Sequence, residues 1–111
     1  MTPTDYVIHA MRTASKDKFT AEERLLNAAL GLGGESGEFI DHIKKCNFQG
    51  HELDEDYLIK ELGDILWYVA LAADALDVPL EYIMQVNINK LLDRYPGKGF
   101  EEDKSRNRGS L

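Results

Sequence analysis

The sequence holds a single cysteine, Cys46, in 111 residues, which excludes an internal disulfide framework and is typical of a protein in a reducing compartment. No stretch approaches the roughly 18 consecutive apolar residues of a membrane span, and the N-terminus lacks the basic-then-apolar pattern of a secretion signal. Positive charge is also in deficit, because the formal net charge at pH 7 is −7. These absences predict a cytoplasmic protein whose partners include neither a nucleic-acid polymer nor a membrane.

Helical periodicity is what the sequence does contain, and the period-two alternation of strands is weak throughout. Thr20 and Glu23 form a capping-box pattern at the start of one helix, and Asp54 is a suitable N-cap for the next. Pro79 suits the first turn of a last helix. Four helices are predicted, over about 4–18, 21–46, 55–76 and 79–95. The pattern therefore predicts an all-α fold.

A chain of this length predicts one domain. We expect residues 1–100 to form a four-helix-bundle-like helical domain and residues 101–111, which are rich in charge, to form a poorly ordered tail. A domain of this size buries only about 65% of its unfolded surface. We therefore expect oligomerisation to complete the fold.

Two acidic pairs, Glu35 with Glu38 and Glu61 with Asp64, are the most informative feature of the chain. Residues three apart share one face of a helix, so two such helices side by side would gather four carboxylates. Two unit charges ~5 Å apart repel by roughly 3 kcal/mol at an effective dielectric of about 20. A hard divalent cation relieves this repulsion, so the pairs predict a metal site for Mg²⁺, with Mn²⁺ as a possible substitute.

Other roles for these carboxylates fit the sequence less well. Paired glutamates commonly lie on a solvated outer face, but the same helix faces carry uncharged residues such as Ala28 and Leu71. A di-iron carboxylate centre needs a histidine three residues after a glutamate, and none of the three histidines is so placed. Cys46 and the histidines also lack zinc-ligand spacing. His42 is interpreted as a neighbour of the site or a surface residue, not as a ligand.

Glycine is concentrated around the first acidic pair, at Gly31, Gly33, Gly34 and Gly37. Each costs about 1 kcal/mol relative to alanine inside a helix. Either the helix breaks here, or the glycines permit close approach by a second helix or a ligand. Since Gly63 lies inside the second pair, we expect two continuous helices that cross closely at Gly37 and Gly63.

A polar and cationic face is predicted on the last helix, formed by Asn87, Lys90 and Arg94. Lys90 and Arg94 would also complement the helix dipole near its C-terminus. Next to a metal site, and followed by Lys98 in a glycine-containing loop, they predict a phosphate-binding surface. Trp67 and Tyr68 directly follow the second acidic pair and either pack in the core or contact a nucleobase.

Three segments carry a resemblance to a known family. They read LGLGGESGE at 30–38, KELGDILWY at 60–68 and NINKLLDRYP at 87–96. Over roughly residues 25–100 the chain resembles the all-α nucleotide pyrophosphohydrolases of the MazG-like type. The resemblance implies Mg²⁺-dependent cleavage of nucleoside triphosphates to monophosphate and pyrophosphate by a homodimer or homotetramer. One position departs from the family pattern Glu-Glu-x-x-Glu, because Gly34 stands in place of the first glutamate.

We therefore expect an enzyme that hydrolyses nucleoside triphosphates, either deoxynucleotides or non-standard nucleotides. Glu35 and Glu38 are the expected catalytic residues, and Glu38 is preferred as the base that accepts a proton from the attacking water. Six residues are expected to bind substrate: Asn87, Lys90, Arg94, Trp67, Tyr68 and Lys98. Two alternatives stay open, namely a phosphoribosyl-ATP pyrophosphohydrolase-like activity and a non-catalytic helical interaction module in which Gly34 marks a decayed site.

Overall fold

The computed structural model describes residues 1–97, and Lys98 and the predicted 101–111 tail lie outside this range. The described residues form α-helices and one short 3-10 turn, with no strand among them, which confirms the all-α prediction. The elements are α1 (Pro3–Met11), a 3-10 turn (Lys16–Lys18), α2 (Ala21–Phe48), α3 (Glu55–Ala75) and α4 (Leu80–Arg94).

Side-chain caps fix the starts of the first three helices. The Thr20 hydroxyl accepts from the Glu23 backbone N–H at 3.1 Å, and Glu23 accepts from the Thr20 N–H at 3.0 Å, which completes the predicted capping box. Asp54 caps α3 as predicted, by accepting from the Tyr57 N–H at 3.1 Å. These caps explain why the predicted starts of α2 and α3 are confirmed.

The first helix is shorter than predicted. A second capping box, between Thr2 and Asp5, places its start at Pro3. The prediction also carried this helix to residues 15–18, whereas it ends at Met11, and Ser15 lies in the left-handed region with a φ of 51°. A left-handed residue cannot continue a right-handed helix, so the following turn is separate.

The end of α3 is formed by a Schellman-type cap. The Val78 N–H donates to the Ala73 carbonyl at 3.1 Å, and the Asp77 N–H donates to the Asp74 carbonyl at 3.1 Å. Asp77 adopts a φ of 57°, the left-handed conformation that such a cap requires. Pro79 immediately precedes α4, so the predicted break between these helices is confirmed.

Helices α2 and α3 pack antiparallel, and α2 continues unbroken through its glycines. Arg24, near the start of α2, donates to Asp74 near the end of α3 at 2.7 Å. Farther along α2, His42 lies against Tyr57 at the start of α3, with ring centroids 4.9 Å apart. Later residues of α2 therefore contact earlier residues of α3, as antiparallel helices require. This arrangement brings both acidic pairs to the middle of the helix pair.

Small residues form the core between α1, α2 and α3. Ala28 and Ala70 are fully buried beside Leu71, with Ala10 and Met11 of α1 in the same cluster. Alanines let the helix backbones approach closely and leave few voids. The Trp67 indole N–H fastens α1 to α3, since it donates to the Ala10 carbonyl at 3.1 Å and lies 3.2 Å from the Thr13 hydroxyl.

The chain divides into two compact units. The first, Met1–Leu80, contains α1 to α3 and the core just described. The second begins at Glu81, and its described part is the remainder of α4 and residues 95–97. In the part of the chain that the structure describes, none of the helices combines the length and apolar character of a membrane span.

Candidate metal centre and adjoining pocket

Three of the four predicted metal ligands meet between α2 and α3. Glu35, Glu38 and Glu61 each offer a carboxylate oxygen, and these oxygens all lie within 4.8 Å of one another. Glu35 and Glu38 are one turn apart on α2, and the antiparallel packing places Glu61 of α3 beside them. We refer to these three residues as the acidic triad.

Two oxygens of the acidic triad are buried without a partner. Glu61 is buried at 7% exposure, and its Oε2 has no hydrogen-bond partner among the described residues. The Oε2 of half-buried Glu35 is likewise shielded from solvent and unpartnered. A buried carboxylate oxygen without a donor is costly, so the position calls for a proton or a cation. Glu38, by contrast, is exposed.

The close packing of the carboxylates also raises the pKa of Glu35. A hydrogen bond with Glu61, burial, and the charges of Glu38, Glu61 and Asp64 raise it from its ordinary 4.5 to about 7. A carboxyl that shares a proton with a neighbouring carboxylate behaves in this way. A divalent cation can replace that proton and satisfy both side chains.

The fourth predicted ligand, Asp64, lies next to the acidic triad and not within it. Asp64 is exposed, and its charge contributes to the raised pKa of Glu35. With Glu35, Trp67 and Tyr68 it lines an open pocket of about 300 Å³. The sequence therefore predicted the right neighbourhood for Asp64, and the structure gives it a position at the pocket.

The two aromatic residues of this pocket also have structural contacts. The Trp67 ring meets the Tyr68 ring edge-on, with centroids 5.0 Å apart, and its indole N–H is already used by α1. The Tyr68 ring covers Gly31, where an added Cβ would overlap it. The core-packing alternative is confirmed for both residues, which pack against the buried cluster of the first unit. Contact with a nucleobase stays a prediction, and the pocket is where it would occur.

The glycine prediction was wrong in its position. In residues 1–97, no atom lies within 4 Å of where a Cβ would stand at Gly37 or Gly63, so neither glycine is a point of close helix contact. Close approach occurs instead at Gly31, beneath the Tyr68 ring. Sequence spacing placed a glycine inside each acidic pair, but it could not show that the open sides of Gly37 and Gly63 point away from the neighbouring helix.

The predicted phosphate-binding residues lie in the second unit. Asn87, Lys90 and Arg94 are all on α4, with Asn87 and Lys90 exposed and Arg94 half-buried. Their spacing places them on one helix face, as predicted. Their role in substrate binding stays a prediction, as does that of Lys98, which lies outside the described residues.

Two tyrosines near the carboxylates were missed by the sequence reasoning. Burial, followed by the charges of Glu61 and Glu38, raises the pKa of Tyr57. Burial, followed by the charge of Asp64, raises the pKa of Tyr6 on α1, which packs against the core. Tyr57 stands four residues before Glu61, so helical spacing would have placed it on the same face; no sequence signal connects Tyr6 to the site.

Carboxylate oxygens are the ligands that Mg²⁺, Mn²⁺ and Ca²⁺ prefer. The acidic triad offers such oxygens within a small volume, and Glu35 and Glu61 each have one buried oxygen that lacks a partner among the described residues. The donor set therefore fits a hard divalent cation. Glu35, Glu38 and Glu61 would hold it, with Asp64 at the adjoining pocket.

Comparison with known proteins gives one family. The model of the MazG nucleotide pyrophosphohydrolase domain matches residues 22–98, which is more than half of the chain. The chain is also similar to the Gene 37 protein of Mycobacterium phage L5, with 43% identity over 76 residues that cover 65% of this chain and 67% of that protein. No solved structure matches the chain.

Proposed function

The chain belongs to the MazG nucleotide pyrophosphohydrolase family, and on that premise we propose that it hydrolyses nucleoside triphosphates to nucleoside monophosphate and pyrophosphate with Mg²⁺. The proposed substrates are deoxynucleotides or non-standard nucleotides. One observation above all supports the proposal: buried Glu61 and half-buried Glu35 each have a carboxylate oxygen without a partner, at the centre of a three-carboxylate group.

The acidic triad divides into two proposed roles according to exposure. Glu35 and Glu61, whose free oxygens are shielded from solvent, would hold the cation, together with Glu38. Glu38, which solvent reaches, is also the proposed base. It would accept the proton of the attacking water while the water oxygen bonds to the α-phosphorus and pyrophosphate leaves with the electron pair of the broken bond. When bound, the cation supplies positive charge that offsets the phosphate oxygens.

The pocket beside Asp64 is the proposed position of the nucleoside. Trp67 and Tyr68 offer aromatic surface there, and Asp64 and Glu35 offer polar groups at its wall. Asn87, Lys90 and Arg94 are proposed to bind the phosphates, with Lys98 as a further contact, because negative phosphates need local cations on a chain with a net charge of −7.

We also propose that the protein assembles as a homodimer or homotetramer. Large apolar side chains lie exposed on α2, where Leu26 and Leu30 are 61% and 68% accessible. Sedimentation of the purified protein measures this directly. A monomer at micromolar concentration would contradict the proposal.

Pyrophosphate release from a panel of ribo- and deoxynucleoside triphosphates tests the activity, with Mg²⁺ present or removed by a chelator. Glu38→Gln should lower the rate by roughly 100-fold or more, since a positioned base contributes about 10²–10⁴. Glu22→Gln, at an exposed first-turn position of the same helix, is the matched control and should retain full activity.

The outcomes of this assay separate the proposal from its alternatives. Turnover of phosphoribosyl-ATP alone would move the activity to that substrate. Absence of turnover on every substrate, together with absence of Mg²⁺-dependent stabilisation, would indicate a helical interaction module and refute the proposal.

A further inference from the structure

Next to the acidic triad, a small network joins α2 to the start of α3. The Asp54 carboxylate accepts from the Tyr57 N–H at 3.1 Å, and the Asp54 N–H donates to Nε2 of His42 at 3.1 Å. The His42 ring lies against the Tyr57 ring, with centroids 4.9 Å apart and planes inclined by 42°. Tyr57 is thus held at its backbone by the helix cap and at its ring by His42.

The hydrogen bond from Asp54 also fixes the state of His42. Because Nε2 accepts the hydrogen bond from the Asp54 N–H, the neutral ring carries its own hydrogen on Nδ1. Cys46 lies beside the same nitrogen, with Sγ 3.6 Å away, and its thiol donates to the Glu52 carbonyl at 3.4 Å. The loop before α3 and the histidine are therefore joined to each other through Asp54 and Cys46.

Tyr57 stands one helical turn before Glu61, on the same face of α3. After burial, the charges of Glu61 and Glu38 and a hydrogen bond with Glu61 contribute to raising the pKa of its phenol. Side chains four residues apart on one helix face are neighbours, so the Tyr57 hydroxyl can reach the Glu61 carboxylate. The hydroxyl stays protonated at neutral pH and can act as a donor.

We infer that Tyr57 is a positioning residue for the cation site: its hydroxyl donates to Glu61 and fixes that carboxylate, while His42 holds the tyrosine ring and the α3 N-cap holds its backbone. Glu61 Oε2 has no partner in the described part of the chain, so a hydroxyl bound to the other oxygen directs Oε2 toward the cation. The inference rests on the proposed function only through the cation site and is independent of the substrate.

Tyr57→Phe tests the inference in the full-length chain, because it keeps the ring on His42 and removes only the hydroxyl. Mn²⁺ titration followed by electron paramagnetic resonance should show roughly tenfold weaker binding, the lower end of the effect of removing such a partner. The melting temperature without metal should stay unchanged. Tyr82→Phe, at a site on α4 that is 59% exposed, is the matched control and should bind Mn²⁺ as the wild type does.

A second variant guards against a folding defect. His42→Gln keeps an acceptor for the Asp54 N–H but removes the ring that supports Tyr57, so it should also weaken Mn²⁺ binding. If both residues act through one path, the double variant should bind no more weakly than Tyr57→Phe. Additive losses would overturn the supporting role of His42.

The remaining outcomes distinguish this inference from the proposed function. Equal Mn²⁺ affinity in the wild type and Tyr57→Phe overturns the inference alone. A wild type that binds no Mn²⁺ overturns the cation site and the inference together. A wild type that binds Mn²⁺ but cleaves no triphosphate overturns the proposed function, and the difference in affinity still decides the role of Tyr57.

Discussion

The α2–α3 pair treats its carboxylates in opposite ways at one end and at its middle. Near the start of α2, Asp74 receives two cations: Arg24 Nη1 at 2.7 Å and Lys16 Nζ at 3.0 Å. Farther along the same helices, the acidic triad brings three carboxylates within 4.8 Å, and among residues 1–97 no ion pair reaches any of them. The helix pair can evidently neutralise a carboxylate where stability requires it. The acidic triad is therefore arranged for a positive charge from outside the chain.

Removing the Arg24 guanidinium from Asp74 should produce the largest change in stability. Arg24→Met keeps the aliphatic packing of a side chain that is only 12% exposed, but it leaves Asp74 with the exposed Lys16 alone. We expect a loss of about 2 kcal/mol in the free energy of unfolding, measured by urea denaturation, since a partly buried charge loses its main partner. Lys45→Met, which removes an exposed pair with Asp41, is the control and should cost at most about 0.5 kcal/mol.

An equal loss in both variants would contradict the comparison. In that case Asp74 would behave as an ordinary surface carboxylate, and the contrast with the acidic triad would have no energetic basis.

A smaller effect is expected between Asp74 and the acidic triad, where α2 passes beneath Tyr68. Gly31→Ala places a methyl group against the Tyr68 ring, and the cost of overpacking outweighs the helix propensity gained. We expect a net loss of about 1–2 kcal/mol in thermal or urea unfolding. Gly33→Ala, two residues along, meets no atom within 4 Å and should instead stabilise the helix by up to about 1 kcal/mol. The same sign in both variants would refute the packing described for Gly31.

The subtlest prediction concerns pH. The pKa of Glu35 is raised from 4.5 to about 7, so the folded chain binds this proton more tightly than the unfolded chain does. Its contribution to stability is fully present below pH 4.5 and is lost as pH rises to 7. The melting temperature of the metal-free wild type should therefore fall relative to that of Glu35→Gln between pH 4.5 and 7. Mn²⁺ affinity should rise over the same range, because the ion competes with the proton.

If the difference in melting temperature between wild type and Glu35→Gln does not change from pH 4.5 to 7, the pKa of Glu35 is not raised by its neighbours in solution. Scanning calorimetry with a chelator present measures this difference, and the same scans with added Mn²⁺ show whether the ion removes it.

Much of the fold could be predicted because its signals are local. Thr20 and Asp54 mark helix starts through contacts three residues away, and Pro79 marks a boundary through its own ring. The first helix was predicted less well. Its end depends on the left-handed conformation of Ser15. This conformation is uncommon for serine, so the residue type does not predict it.

The meeting of carboxylates between α2 and α3 could be predicted from spacing, whereas the details of its geometry could not. Spacing alone put Glu35 with Glu38 on one face, and it correctly implied that Glu61 lies opposite. It could not separate Asp64 from the acidic triad or place the helix contact at Gly31. Those facts depend on how α2 and α3 rotate about their axes, which side-chain packing such as the Tyr68 ring decides.

The antiparallel arrangement imposes unequal constraints on insertions and deletions. One residue inserted between Gly31 and Glu35 would rotate everything beyond it by about 100° and carry that carboxylate out of reach of Glu61. A residue inserted beside Gly50, in the connection between the two helices, would only enlarge an exposed loop, where the entropic penalty grows slowly with length. The chain can therefore change length between its two acidic helices far more readily than within them.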